Sequence, residues 1–530
     1  MENLLVTEIE VVSILLIVSI VAILARYSRL PYTVALVLMG IVLTVQPYIT
    51  GIQLTEDLVL ALFLPPLVFE AAFHLQFREL RSDLWPILTL AVPGVILNTA
   101  IVGGILYALN ILPLTLALLF GALIAATDPV SVIATFKSVG APRRLSVLME
   151  GESLFNDGTA IVLFHIAVGI ALTGHFSLAE SVADFLREAV GGLAVGAIIG
   201  YLVAQVIERI DDYLVEITVT TVAAYGSYLI GQEFLHVSGV LAVVMAGLIN
   251  GNIGIRGMSP TTRIVLNNFW EYIAFLANSF IFLLIGMALE LDDLFPYLPA
   301  IGAAILAVLA ARVVAVYGLG GFVRLFKPDL PKNYLHVMVW GGLRGAVSLA
   351  LVLGVSSQIG FAAKQQLLAM TFGVVIFSLL VQSITIPRLL RRLGLGGGEP
   401  FSLRYEQLQA ELLALRAAAH RIDEMHDEGA LAHTAWESVK AELVERGRDV
   451  SAEIQSLMVA HPELHEGLLH VARREALRAQ RAELSKLSAE GLLSDEVIAK
   501  LLRDVDAELQ HLNSAVPRYD DALHIAESEA

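Results

Sequence analysis

Seven ionisable side chains lie inside otherwise apolar stretches: Glu70, Asp128, Glu150, Glu152, Asp157, Arg312 and Arg344. A charge at the centre of a bilayer costs about 2.5–3.5 kcal/mol on insertion scales, so such residues serve ion paths, proton relays or buried pairs. One alone is as readily a structural ion pair; seven together call for chemistry. Asp157 is the most informative. In GESLFNDGTAIVLF (151–164), Ser153 and Asp157 are four residues apart and share a helix face, with Glu152 and Asn156 one step round. That face offers a carboxylate and a hydroxyl. Asp128 and the Thr127 carbonyl would extend it to the all-oxygen shell that hard cations prefer. A carboxylate out of water is relieved by a proton or by a cation, but hardly by both. Exchange follows from that competition, provided the empty charged group is too costly to carry across lipid.

The elements that position these groups look interrupted. Pro129 follows Asp128 and removes a backbone donor, so a helix broken at Thr127-Asp128-Pro129 exposes carbonyls. Gly341-Gly342-Leu343-Arg344-Gly345 is equally helix-breaking. Two interrupted segments near mid-membrane, crossing one another, are a transporter arrangement.

Composition sets the frame. Of 530 residues, 57% are hydrophobic and 16% charged, and there is no cysteine. Soluble chains carry about 25% charge, so most of this one belongs in lipid. Residues 1–400 hold 46 charged side chains and residues 401–530 hold 39, with net charges of −6 and −11. That sign excludes a basic nucleic-acid module, and the missing thiols exclude disulfides and thiolate metal sites.

Apolar runs of membrane-spanning length recur at 9–26, 32–48, 56–76, 83–107, 113–136, 146–173, 189–208, 214–231, 236–250, 268–290, 297–323, 336–359 and 367–390. The fold class expected is therefore an all-α polytopic membrane protein of about 13 transmembrane helices, with a helical cytoplasmic C-terminal domain. The acidic start (Glu2, Glu8, Glu10) and the lack of a small-residue cleavage site argue against a removed signal peptide. Alternate loops carry Arg26 and Arg29, Arg78 and Arg81, Lys137 with Arg143 and Arg144, Arg209, Arg256 and Arg263, and Arg324 with Lys327 and Lys332. Arg388, Arg391 and Arg392 follow the last span, whereas the intervening loops offer only Arg187 and Lys364. Positive charge is retained inside, which places the N-terminus outside and the C-terminus in the cytoplasm. With thirteen spans, the fourth to sixth run opposite to the eleventh to thirteenth, the geometry of an inverted repeat.

Gly394 to Pro400 reads as a flexible linker. The acidic tail, 401–530, shows helical periodicity over 403–427 and 466–513 and no Gly-rich nucleotide fingerprint. Its eight histidines, His461, His465 and His470 among them, read mainly as part of a solvated face, with pH sensing or metal binding as the sharper alternatives. His165 reads as a hydrogen-bonded structural histidine rather than a proton shuttle.

ATDPVSV (126–132), GESLFNDGTAIVLF (151–164) and WGGLRGAVSLAL (340–351), together with FLPPLVFEAAF (63–73) and FWEYIAFLANSFIFLLIGM (269–287), resemble the sodium/proton exchanger (NhaP-like, electroneutral) branch of the monovalent cation:proton antiporters. The resemblance covers nearly all of 1–393. It implies a homodimer in membrane lipid that exchanges Na⁺, or Li⁺ or K⁺, for H⁺ by an elevator-like movement. Spans 1–3 and 7–10 would form the scaffold, and spans 4–6 and 11–13 the mobile core. It implies that Asp157 is the exchanging carboxylate, with Na⁺ held by Asp157, Asp128 and Ser153, helped by Thr127. Asn156 stands where electrogenic relatives have a second Asp, which implies electroneutral 1:1 exchange. Glu70 matches a third-span Glu able to reach the ion. Arg312 is expected to pair with Glu152 and brace the core, and Arg344 to offset helix C-terminal dipoles or nearby acid. Glu150 is read as interfacial. No cofactor, enzymatic activity or nucleic-acid partner is expected. The competing classes are a K⁺/H⁺ antiporter of the same fold, an intramembrane aspartyl protease, for which a GxGD-type motif is missing, and a cation channel, for which no filter motif is seen.

Overall fold

A computed structural model of the chain describes residues 2–28, 31–44, 54–210, 212–288, 294–355, 359–395 and 401–460, with isolated helical positions between 473 and 508. Among the described residues every regular element is a helix. The first three are α1 (Glu2–Ser28), α2 (Tyr32–Thr44) and α3, in which a π turn Leu58–Phe63 runs into Leu64–His74. Then come α4 (Phe77–Ala108), the halves α5a (Leu114–Leu123) and α5b (Val130–Val139), α6 (Arg143–Thr173), α7 (Leu178–Ile207) and α8 (Tyr213–Phe234). Next are α9 (Gly239–Asn252), α10 (Pro260–Met287), α11 (Leu298–Phe326), the halves α12a (Lys332–Trp340) and α12b (Ala346–Leu353), and α13 (Phe361–Arg392). Two tail helices follow, α14 (Phe401–Asp427) and α15 (His433–Ala460).

Among the described residues, eight helices are long and apolar enough to cross a membrane unaided; α2, α3, α5a, α5b and the Val11–Ala25 part of α1 are shorter apolar helices. With each pair of halves joined, α1 to α13 are thirteen crossings, and the chain is an all-α polytopic membrane protein. The helix starts are written locally. Ser177, Asp212, Ser238 and Ser259 accept backbone N–H groups from the first turns of α7, α8, α9 and α10, the role short polar side chains play at N-caps.

Contacts divide the chain into two units, Met1–Gly396 and Gly397–Ala530. Gly394 and Leu395, expected in the linker, instead cap α13. Gly394 is left-handed at φ 70°, and Leu395 N–H donates to Leu390 O at 2.9 Å. Linker residues 396–400, His461, His465, His470 and most of 466–513 lie outside the described residues.

Within the first unit the helices pack in two sets. One joins α4, α5, α6, α11, α12 and α13; the other joins α2, α3 and α7 to α10, with α1 against α2. In the second set, Gly192, Gly196 and Gly200 of α7 lie directly against Ser238, Ala242 and Ala246 at and within α9. Small residues every fourth position let two helices approach closely where lipid gives no hydrophobic drive. In the first set, α4–α6 and α11–α13 each have an interrupted middle member, α5 and α12. The interruptions, 124–129 and 341–345, are where the two triplets meet.

Candidate functional site

The two interruptions are fastened to each other and to α6. Asp128 N–H donates to Leu343 O at 2.9 Å, joining the broken segments backbone to backbone. The Arg344 guanidinium donates through Nη1 to Ala125 O (2.6 Å) and Ala126 O (3.1 Å), the carbonyls freed where α5a ends. A cation at a helix C-terminus offsets the negative end of its dipole. The backbone of Arg344 is held in turn by Ser378, whose hydroxyl accepts its N–H at 3.1 Å. Asp128 Oδ1 accepts Val130 N–H at 3.0 Å and so opens α5b, because Pro129 has no N–H to give.

α6 clamps the first interruption through Thr127. Asn156 Nδ2 donates to Thr127 Oγ1 at 2.6 Å, Asn156 Oδ1 accepts Thr127 N–H at 3.2 Å, and Ser153 Oγ donates to Thr127 O. Thr127, Ser153 and Asn156 are all buried. Asn156, singled out as an ion-site residue, has both ends of its amide committed to Thr127. Ser153, having given its proton to that carbonyl, keeps its oxygen lone pairs for another partner.

Asp157 stands near the middle of the 31-residue α6. Its neighbours in charge are Asp128 and Arg344. Its Oδ1 is buried and has no hydrogen-bond donor among the described residues. A buried oxygen without a partner is costly, and an anionic one still more so. On α6, the positions from 143 to 157 that keep accessible surface are 143, 144, 150 and 157; 145–149 and 151–156 are buried. Accessibility recurring every seven residues marks one side of a helix. It leads from the Arg143 end to Asp157.

Gly345 is fixed by this geometry. A Cβ there would lie 2.5 Å from the Cβ of Asp128. Gly345→Ala is therefore expected to displace Asp128 and prevent ion exchange while the helices persist. Circular dichroism and melting close to wild type with lost exchange would support this; full exchange would refute it.

The sequence pairing of Arg312 with Glu152 is also present. Arg312 grips both carboxylate oxygens, with Nη2 to Oε2 at 2.9 Å, and donates through Nε (3.1 Å) and Nη2 (2.9 Å) to Met338 O in α12a. Glu70 is placed differently from Asp157, Asp128 and Ser153: its carboxylate lies 3.2 Å from His74 Nδ1, one turn along α3. Glu150 is partly accessible and faces the charges of Arg143 and Lys137. His165 Nδ1 lies 3.5 Å from Glu188 Oε2 on α7, and Arg388, Arg391 and Arg392 are exposed at the end of α13.

One cluster has no counterpart in the sequence reading. Asp83, 2% exposed in α4, takes Arg144 bidentately at 2.9 and 2.8 Å, with Lys327 at 3.3 Å; Arg144 also reaches Asp329. It ties the basic ends of α4, α6 and α11. The available signal was an acid among the basic residues of REL-RSD before an apolar run, which periodicity alone does not flag.

An all-helical membrane protein whose two broken helices cross beside a buried carboxylate is built as a secondary transporter. The chain belongs to the sodium/hydrogen exchanger family: the family described as "Sodium/hydrogen exchanger, transmembrane" matches residues 12–392. Its relatives include the Na(+)/H(+) antiporter ApNhaP of Aphanothece halophytica, 43% identical over 399 residues, 75% of each chain. The Na(+)/H(+) antiporter NhaG of Bacillus atrophaeus is 37% identical over 491 residues, 89% of this chain and 91% of that one. Among solved structures, the sodium proton antiporter MjNhaP1 from Methanocaldococcus jannaschii matches with a TM-score of 0.61 at 22% identity. The match covers 74% of this chain and 99% of that one, and it shows a shared fold.

Proposed function

We propose that the chain is a secondary antiporter exchanging Na⁺ for H⁺, one for one, through competition at Asp157. The observation that carries this is the Asp157 Oδ1, buried without a donor beside Asp128. Such an oxygen is relieved by a proton or by a cation, and each displaces the other. Asp128 and the lone pairs of Ser153 supply further oxygen ligands, and Thr127 and Asn156 hold the crossing segment in shape. The relatives' names, all Na(+)/H(+) antiporters in the two cases above, favour Na⁺ over K⁺ or Li⁺. Membership of a transporter family favours transport over proteolysis.

The two packing sets give the movement its parts. We assign α4–α6 and α11–α13 to a mobile core and α1–α3 and α7–α10 to a scaffold, working as a homodimer in the lipid bilayer with the C-terminal tail in the cytoplasm. Support comes from the denser packing within each set and from the basic loops. The fifth and twelfth helices need not unfold to expose the site, because the core carries both. Asn156 in place of a second acid favours electroneutrality: one ionisable group carries one proton.

The test is exchange in proteoliposomes with an imposed pH gradient, to which Na⁺, Li⁺ or K⁺ is added. One pH unit is worth about 1.4 kcal/mol, enough to sustain roughly a tenfold cation gradient at 1:1. The expected result is alkalinisation of acid-loaded vesicles by Na⁺ with no membrane potential developing. A potential generated by transport would refute the 1:1 assignment, and Na⁺ flux indifferent to the proton gradient would indicate a channel.

A further inference from the structure

The tail carries a side-chain cluster that ion exchange at Asp157 does not employ. α14 and α15 fold back on each other through a turn in which Gly429 is left-handed at φ 73°. At that turn His426, in the last turn of α14, meets His433, the first residue of α15. His426 Nε2 and His433 Nδ1 are 3.2 Å apart. Trp436 stacks on both rings, with centroids 4.5 Å from His426 and 5.3 Å from His433. The indole is itself fixed, since Nε1 donates to Asp423 Oδ1 at 2.9 Å. Lys440 Nζ sits 4.7 Å from the Trp436 ring centroid and 2.7 Å from the same Asp423 oxygen.

We propose that His426 and His433 form a two-imidazole site for a borderline divalent metal ion, Zn²⁺, Ni²⁺ or Cu²⁺, at the turn of the tail hairpin. The distance is the first argument. With metal–nitrogen bonds of about 2.0–2.1 Å, nitrogens 3.2 Å apart subtend about 100–105° at the metal. That is close to a tetrahedral edge, so the separation suits two imidazoles on one ion. The second argument is the surroundings of the ligands. On the other side of the His426 ring, the Asp427 carboxylate lies 3.7 Å from Nδ1, beyond hydrogen-bonding distance but on the side from which a carboxylate can orient a metal-binding histidine. Stacking on Trp436 locks both rings, which is the preorganisation a site of few ligands needs.

Lys440 lies over Trp436, and its charge is met by Asp423. His420 and Arg421, one turn or so back on α14, both face Glu424. The His426 side chain is 31% exposed, which leaves an open approach. No third His, Cys, Asp or Glu completes the set among the described residues, so water fills the remaining positions. Imidazole donors select against Na⁺, Mg²⁺ and Ca²⁺, which prefer oxygen. The site is therefore chemically separate from the exchanger's cargo.

A plain imidazole–imidazole hydrogen bond has the same nitrogen separation, and Trp436 distinguishes the two. The experiment is a Cu²⁺ titration of the purified full-length protein in detergent at neutral pH, read by tryptophan fluorescence and by Cu²⁺ electron paramagnetic resonance. The expected result is a saturable quenching component at one ion per chain, reversed by EDTA, displaced by Zn²⁺ and missing in Trp436→Phe. The resonance spectrum of that component should show two coordinated nitrogens. His426→Gln and His433→Gln should each raise the half-saturating Cu²⁺ concentration at least about tenfold, as loss of even an outer-shell partner does, with helical dichroism retained. Should a variant unfold, the wild-type spectrum and Zn²⁺ displacement decide alone. Quenching that persists in Trp436→Phe, that is unaltered in both folded histidine variants, or that is not displaced by Zn²⁺ would overturn the proposal.

Discussion

Asp157→Asn is expected to abolish Na⁺-dependent proton movement while leaving the protein folded. The amide keeps the size of the side chain and one acceptor oxygen, so packing in the buried middle of α6 is preserved. It removes the only feature that two passengers compete for, a group that is either protonated or anionic. A carboxylate and a monovalent cation about 4 Å apart attract by about 4 kcal/mol at an effective dielectric near 20. At 1.4 kcal/mol per decade, that is about a thousandfold in cation affinity. The neutral amide also takes from Arg344 one of its two acidic neighbours and leaves Glu152, which disfavours a second positive charge entering. Acid-loaded proteoliposomes carrying the variant should show no pH change on adding Na⁺, and Asp128→Asn should show a weakened one. Calorimetry of the wild type in two buffers of different ionisation enthalpy should report one proton released per Na⁺ bound. Retained exchange in Asp157→Asn, or Na⁺ binding that releases no protons, would remove the basis for competition at this residue.

Arg312→Ala should act on stability first. Arg312 and Glu152 are 4% and 2% exposed, and the guanidinium also satisfies Met338 O. Breaking a buried pair by removing one partner costs about 3–5 kcal/mol, because the remaining charge is left buried and alone. Here α6, α11 and α12a lose their common fastening as well. The expected outcome is a large drop in melting temperature and in recovered protein, with transport lost as a consequence. Replacing both residues by Leu removes the uncompensated charge and should regain part of the stability, but not all, since the Met338 carbonyl loses its donors. A variant that expresses and melts normally while transport is lost would contradict the bracing role and place Arg312 in the ion path instead.

The sequence and the structure agree best where one dimension suffices. Recurrent apolar runs located the helices of the membrane part, because a helix in lipid must satisfy its own backbone and so declares itself in consecutive residues. The boundaries moved where local signals differ from hydropathy. The apolar run predicts a fourth span over 83–107, whereas α4 begins earlier, at Phe77, and is kinked at Asp83 where the polar turn FRELRSD meets the apolar run. Gly394 was read as linker by composition, yet it ends α13, because a glycine after a basic last turn serves equally as a C-cap. Neither distinction is visible without knowing which backbone groups are already paired.

The chain's residues by themselves determined the membrane class, the placement of the helix breaks at Asp128-Pro129 and Gly341 to Gly345, and the presence of a carboxylate deep in α6. Each follows from transfer free energy or backbone chemistry that acts within a few residues. Tertiary structure alone decided what those features are for one another. It set Gly345 against Asp128, turned Arg344 onto the Ala125 and Ala126 carbonyls, and committed Asn156 to Thr127. The first two pairings depend on how two half-helices more than 200 residues apart in sequence cross in space. Hydropathy and spacing carry no information about the distance between groups so far separated along the chain.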